Sequence, residues 1–393
     1  MALPGVEITL GSGGLGRVSA TDDGIAALLL TGNAVEGKDM LKLDTHYQLS
    51  SSKDLSTLGI DSGNNPLVNH EVRSFYAQAG EGAELHLMVV ESGTKLTEMV
   101  DGASSPLAKL IEAAAGRIKI IGVNRLIPDE GEVDNTQGID SDAIEAAAKA
   151  QQVAENYASK IMPVRIFLPA IKWNGKTGGF APSECSYNRV AMVLASEGNL
   201  QDQFPAAIGM VLGRAAQAEP QQDLGRVKFG SLITGGYFTD GTPFLDKQGL
   251  ADTLNDAGFI FFLNYPSKNG CYLNGCPMCC SQTDDYAVLN NGRIMDKAMR
   301  IAYDTYITEI MDNVKVGADG KLPSGVCSSF ESMIENAVAS LMNGQISSFK
   351  AYVNPAQNIL SSSTLQVECS IVPLGVLKTI RVLLSFSNPV LEQ

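Results

Sequence analysis

Apolar positions along the chain fall into two repeating patterns. The first is a short run with little polar interruption, as in Gly24–Thr31, Glu84–Val90, Arg117–Val123 and Pro163–Pro169. Such runs suit strands buried on both faces. Between them lie helical stretches: Asn64–Gly80, Pro106–Ala115 and Ser141–Lys160. Pro66 sits near the first turn of its helix, where a missing N–H costs least, and Gly80 ends it. Asp140 or Ser141 is the expected N-cap of the third. Strand and helix keep alternating through Val190–Leu194, Phe204–Ala216, Leu245–Asp256 and Phe259–Leu263. This alternation predicts an α/β body, a mostly parallel sheet with flanking helices.

The pattern changes after that. Tyr286–Asp312 reads as a long helix with Ile294, Ala298, Ile301, Thr305 and Ile310 on its apolar side. A second helix carries Phe330, Met333, Ile334, Ala337, Val338, Leu341 and Met342 at 3.6-residue spacing. Three strands are expected to follow with no helix between them: Phe349–Asn354, Thr364–Val372 and Lys378–Ser387. The C-terminal part is therefore α+β. At the other end, Val6–Leu10 reads as a strand, followed by the glycine-rich tether Gly11-Ser-Gly-Gly-Leu-Gly16. The expected organisation is an N-terminal arm with a glycine hinge over 1–20, the α/β body over 21–280, the α+β domain over 281–376 and a C-terminal arm over 377–393. The terminal strands pair either within their own chain or with a neighbour's sheet.

Composition narrows the function. The chain has 393 residues, 45% hydrophobic and 18% charged, which excludes a disordered protein. The net charge of −14 argues against a protein that wraps nucleic acid. No segment approaches the roughly 18 consecutive apolar residues of a membrane span. The opening Met-Ala-Leu-Pro-Gly-Val-Glu does not read as a secretory signal. The seven cysteines are an odd number with four crowded together, which points to a reducing cytoplasm rather than a disulfide framework.

Candidate chemistry is sparse. Gly11-x-Gly13-x-x-Gly16 matches a dinucleotide fingerprint, but the residues after it are poor helix material and include Asp22 and Asp23. Gly175-Lys176-Thr177 resembles the end of a P-loop but lacks the required glycine five positions earlier, where Ala170 stands. Cys271, Cys276, Cys279 and Cys280 contain a zinc half-site without a matching second half. They are the weak metal candidate, and Cys279→Ser is expected to change neither fold nor assembly. Neither His70 nor His86, two of the three histidines, lies in a recognisable catalytic setting, and no nucleophile elbow or zinc-protease motif occurs. Asp22-Asp23 and Asp284-Asp285 read as caps of helices or turns. No cofactor is expected.

The order of segments resembles the contractile tail sheath proteins of phage tails and contractile injection systems. Leu3-Pro-Gly-Val-Glu-Ile8 is similar to the family's Pro-Gly-Val opening strand, with Glu7 where an aromatic is usual. Ile25–Gly32 looks like its first buried strand, and Phe75-Tyr-Ala-Gln-Ala-Gly80 followed by Leu85–Val90 resembles its next helix and strand. Ala251-Asp-Thr-Leu-Asn255 to Ile260 is similar to its Asp-x-Leu-Asn turn and strand. Towards the end the order is a helix with Arg293, then Ile334–Gly344, Phe349–Asn354, Gln366–Pro373 and Ile380–Phe386.

The resemblance implies a non-enzymatic structural subunit. It would stack as hexameric rings around an inner tube, contract, and drive the tube through a target envelope. Partners would be further copies of itself, the tube protein, and baseplate and terminator proteins, with no nucleic acid and no membrane. Assembly would take place in the bacterial cytoplasm, and the product would be a virion tail or an injection particle. The N-terminal arm would be Leu3, Pro4, Gly5, Val6, Glu7, Ile8 and Leu10, with Gly11, Gly13, Gly14 and Gly16 as hinge. The C-terminal arm would be Leu383, Leu384, Phe386, Val390 and Leu391. The helix Phe330–Gly344 would face the tube through Glu331, Glu335, Asn336 and Asn343, the two glutamates on its exposed side. The alternative is a soluble α/β enzyme with a nucleotide or metal site at Gly11–Gly16 or Cys271–Cys280.

Overall fold

The structure, a computed structural model, describes residues 22–127 and 133–386. The chain enters through a single 3-10 turn, Asp22–Gly24, and passes directly into strand β1 (Ala26–Gly32), buried at every position. Strand β2 (His46–Leu49), helix α1 (Pro66–Ala79) and strand β3 (Leu85–Glu91) follow. Then come α2 (Leu96–Val100), α3 (Pro106–Ala113), β4 (Ile120–Asn124), α4 (Ser141–Ser159), β5 (Arg165–Pro169), β6 (Val190–Val193) and α5 (Ile208–Gln217). The six strands form one sheet in the order β2-β3-β1-β4-β5-β6, parallel throughout except for β2. Ala26 lies opposite Leu85 on one side and Ile120 on the other, so β1 is a central strand.

Strand geometry divides the core in two. Ala26, Leu28 and Leu30 face one layer with α1 and α5, and Ala27 and Leu29 face the other with α2, α3 and α4. Neither face is left to solvent, which is why β1 shows no polar alternation. Asp140 caps α4 by accepting from the Asp142 backbone N–H at 3.2 Å. Helices α1 and α5 approach so closely that a Cβ at Gly209 or Gly213 would strike the backbone carbonyl oxygen of Glu71 or Phe75. The Glu71 carboxylate is fully buried there, accepting from the Gly209 backbone N–H and from Asn124 Nδ2 at 2.9 Å. It thereby satisfies an orphan N–H in the first turn of α5, which has no side-chain N-cap of its own.

Several expectations shift. The antiparallel edge strand β2 is short and half-exposed, and its sequence HYQL gives no buried run. The helix expected within Phe204–Ala216 begins only at Ile208. Leu245–Asp256 is a kinked 3-10 segment, Phe244–Leu250, leading into α6 (Ala251–Ala257). Of the run Phe259–Leu263, only Ile260 touches the main sheet, through one parallel bridge to Val193, while Phe262–Leu263 pairs with Tyr272–Leu273.

The C-terminal part has its own small core. Helix α7 (Leu289–Tyr306) and helix α8 (Ser324–Leu341) pack through Ile294, Ala298, Ile301, Ile334, Val338 and Met342. Strands β7 (Ile346–Tyr352) and β8 (Glu368–Pro373) form an antiparallel pair against them. Ile310 is not on the apolar side of α7: the helix ends in a 3-10 turn at Ile307–Glu309, and Ile310 is exposed. A short helix, Ile359–Ser362, does lie between the two strands. The third expected strand, Lys378–Ser387, is not one among the described residues. Residues 374–386 are exposed and pair with no strand among the described residues.

Candidate assembly surface

The two edges of the β7–β8 sheet differ. On the outer side of β7, the Ala351 N–H donates to Glu335 Oε1 at 3.0 Å and the Val353 N–H to Glu331 Oε1 at 2.8 Å. Two carboxylates four residues apart on α8 are about one helical turn apart, ~6 Å along the axis, close to the ~6.8 Å between alternate N–H groups of a strand. Glu331 and Glu335 are thus half-buried edge caps rather than side chains on an exposed face. Asn336 and Asn343 are exposed as expected. The outer edge of β8 is different: no residue of this strand is buried, and among the described residues nothing pairs with it. A two-stranded sheet is marginal by itself, and an open edge is a template for another strand.

After this strand comes an apolar segment without cover among the described residues. Eight exposed large apolar side chains fall between Leu374 and Phe386, with Leu383 at 95% and Phe386 at 108% of full exposure. Leu383, Leu384 and Phe386 of the expected C-terminal arm lie here, unpaired. Val390 and Leu391 lie outside the described residues. So do the expected N-terminal arm, Leu3 to Leu10, and the hinge glycines Gly11, Gly13, Gly14 and Gly16.

A buried polar joint ties this domain to the body. Asp296 of α7 accepts from Arg165 Nε at 2.7 Å and Arg189 Nη1 at 3.1 Å. Asp23 accepts from Lys297 Nζ at 2.6 Å and Arg300 Nη2 at 3.1 Å. Arg293 donates from Nη2 to the backbone oxygens of Asp23 and Ala218, each at 3.1 Å. Burial pushes Arg293 down to about 10, opposed by the Asp23 charge. Sequence reading placed Asp23 as a cap and noted Arg293 alone; the charged residue opening the apolar run Arg165-Ile-Phe-Leu was the available signal for the rest.

The residues named for the alternative chemistry are dispersed. Cys271, Cys276 and Cys280 face one core and Cys279 the other, because adjacent strand residues point to opposite sides. Burial pushes the Cys276 and Cys279 thiols well up and Cys280 up to about 11, which keeps them protonated and poor as ligands or nucleophiles. Among the described residues, no group of three His, Cys, Asp or Glu side chains could hold a metal ion. Lys176 and Thr177 line a cavity of about 450 Å³ with Trp173, Glu184 and Asp256. His46 Nε2 and His86 Nδ1 lie 2.7 Å apart with stacked rings. Ser74 Oγ donates to Glu197 Oε2 at 2.8 Å, and His70 Nε2 lies 3.4 Å from Glu197 Oε1, so the hydroxyl is bound to the carboxylate and not to the imidazole. Among the described residues, no helix is long and apolar enough to cross a membrane.

Comparison with known proteins gives the wider setting. No curated protein matches the sequence. Among solved structures, the chain is similar to one in the anti-feeding prophage (AFP) baseplate, with TM-score 0.63 and 13% identity over 99% of this chain and 100% of that one. It is also similar to a chain of the AFP helical sheath in the contracted state, with TM-score 0.60 and 13% identity over 98% and 99% of the two chains. A third is a sheath tail protein from Desulfitobacterium hafniense, with TM-score 0.53 and 12% identity over 94% and 100%. The likeness in fold agrees with the resemblance carried by the segment order. The sequence profile of the DUF2586 N-terminal domain matches residues 3–276 and that of the DUF2586 C-terminal domain matches residues 285–391. The chain therefore belongs to the DUF2586 family, and its fold is that of the contractile sheath proteins.

Proposed function

We propose that the protein is the structural subunit of a contractile sheath, linked to its neighbours by exchanged terminal strands. One observation carries this reading: an open edge on β8 and an uncovered apolar segment at 374–386 occur in the same small domain. A chain with both a vacant strand position and a strand without a partner is complementary to a second copy of itself. A head-to-tail contact of this kind does not close, so it propagates as a helical polymer. The capped edge of β7 supports the reading, because it leaves β8 as the receiving side. Residues 3–10 would supply a second donated strand, and the glycines at 11–16 would let subunits rotate without unlinking.

In this reading, hexameric rings stack around an inner tube, and baseplate and terminator proteins bound the stack. The extended sheath is held by a kinetic barrier, and contraction releases interface energy without nucleotide or cofactor. Asn336 on α8 and Asn343 just past its end remain available for contact with the tube; Glu331 and Glu335 do so only by leaving the edge of β7. The test is negative-stain electron microscopy of the purified full-length protein at high concentration and with tube seeds. Hollow ridged tubes with sixfold end views are expected. Discrete small particles under both conditions contradict the reading.

A further inference from the structure

We propose that Asp23 anchors the N-terminal arm to α7, so that tension on the arm passes into the C-terminal domain instead of the central sheet. This rests on the strand-exchange reading above. Asp23 stands seven positions after Gly16, the last hinge glycine, and three residues before the start of β1. Its carboxylate is nearly buried and is held by Lys297 at 2.6 Å and Arg300 at 3.1 Å. Arg293 holds the backbone oxygen of the same residue at 3.1 Å. Positions 293, 297 and 300 share one face of α7, so a single helix grips both the side chain and the backbone of one residue.

Capping a three-residue turn needs one donor. Three cations on one residue, Arg293 buried and Lys297 and Arg300 half-buried, exceed that need, and Arg293 Nη1 is left buried without a partner. The same helix continues into the other domain, where Ile294, Ala298 and Ile301 pack against α8. The root of the arm is therefore fixed to the domain that presents the open edge of β8. Without this grip, a pull on the arm would reach Ala26, the first residue of a central strand. Its ladder bonds to β3 and β4 would then break one at a time from the end. With it, the pull is diverted before the ladder. Force would run from arm to α7 to the receiving sheet and on to the next arm, so each body would ride on the mesh without being unravelled by it.

The test is controlled shear of assembled full-length protein, with tube lengths measured by electron microscopy. The variants are Asp23→Asn, which keeps shape and backbone oxygen, and the double variant Lys297→Gln with Arg300→Gln. Both are expected to fold and to assemble, and their tubes are expected to break severalfold shorter than wild type, because breakage under force follows the unfolding rate of the weakest link. The double variant decides the matter should Asp23→Asn fail to fold. Lowered melting temperatures with sheared lengths equal to wild type would make the cluster purely structural and overturn the anchor while leaving strand exchange intact. Assembly that is unchanged by removing residues 1–12 would overturn strand exchange by this arm, and the anchor with it.

Discussion

His70 is the residue whose environment makes the clearest solution prediction. Burial alone would lower it, but the Glu197 carboxylate beside it more than reverses this and holds it up to about 9, against 6.5 ordinarily. A histidine raised in the folded state contributes stability that is fully present below its unfolded value and is lost as pH rises through the folded one. The melting temperature should therefore decline between about pH 6.5 and 9 from this pair, and His70→Gln should flatten that decline. Glu71, raised by burial from 4.5 to about 7, loses its own contribution mostly below this window and overlaps only its lower end. A decline of unchanged slope in His70→Gln would show that the pair contributes nothing. Cys279 revises an expectation from sequence. It is wholly buried, so Cys279→Ser puts a hydroxyl into an apolar core. A loss of about 1–3 kcal/mol in denaturant unfolding is expected, not neutrality. At this scale the sequence showed which residues were chemically notable but not what they met. Arg165 and Asp296 are 131 positions apart, and only the fold brings them to 2.7 Å.

Elements were legible where a local pattern decides them. The buried run of β1, the proline start and glycine stop of α1, and the aspartate cap of α4 needed no tertiary information. Two features lay beyond local pattern. The 3.6-residue period of α8 marks its apolar face, yet cannot show that Glu331 and Glu335 find the free N–H groups of β7. Lys378–Ser387 has the composition of a strand, and composition does not supply a partner. Each bears on assembly. Glu331→Ala combined with Glu335→Ala uncovers the outer edge of β7 and should increase irregular aggregation in light scattering; unchanged scattering would mean that α8 itself covers the edge. Removing residues 1–12 should leave a protein with wild-type circular dichroism that stays small in sedimentation, because all six strands of the described central sheet lie between residues 26 and 193. Sedimenting tubes from that truncation would contradict the arm.

The whole molecule joins a body with a six-stranded sheet to a small domain whose outer strand is unpaired among the described residues. The body has two cores, one on each face of the central sheet, and accounts for most of the buried apolar side chains. The C-terminal domain has two smaller clusters and a two-stranded sheet. Its two-stranded sheet packs on α7 and α8 and keeps one edge open, and a further strand added there would enlarge it. The most direct measurement is a cryo-EM map of the assembled full-length protein, read at the outer edge of β8. The account predicts continuous strand density from a different subunit, hydrogen-bonded along Glu368–Pro373. A map in which that edge faces solvent, or pairs with the same chain's own segment 374–386, would contradict it.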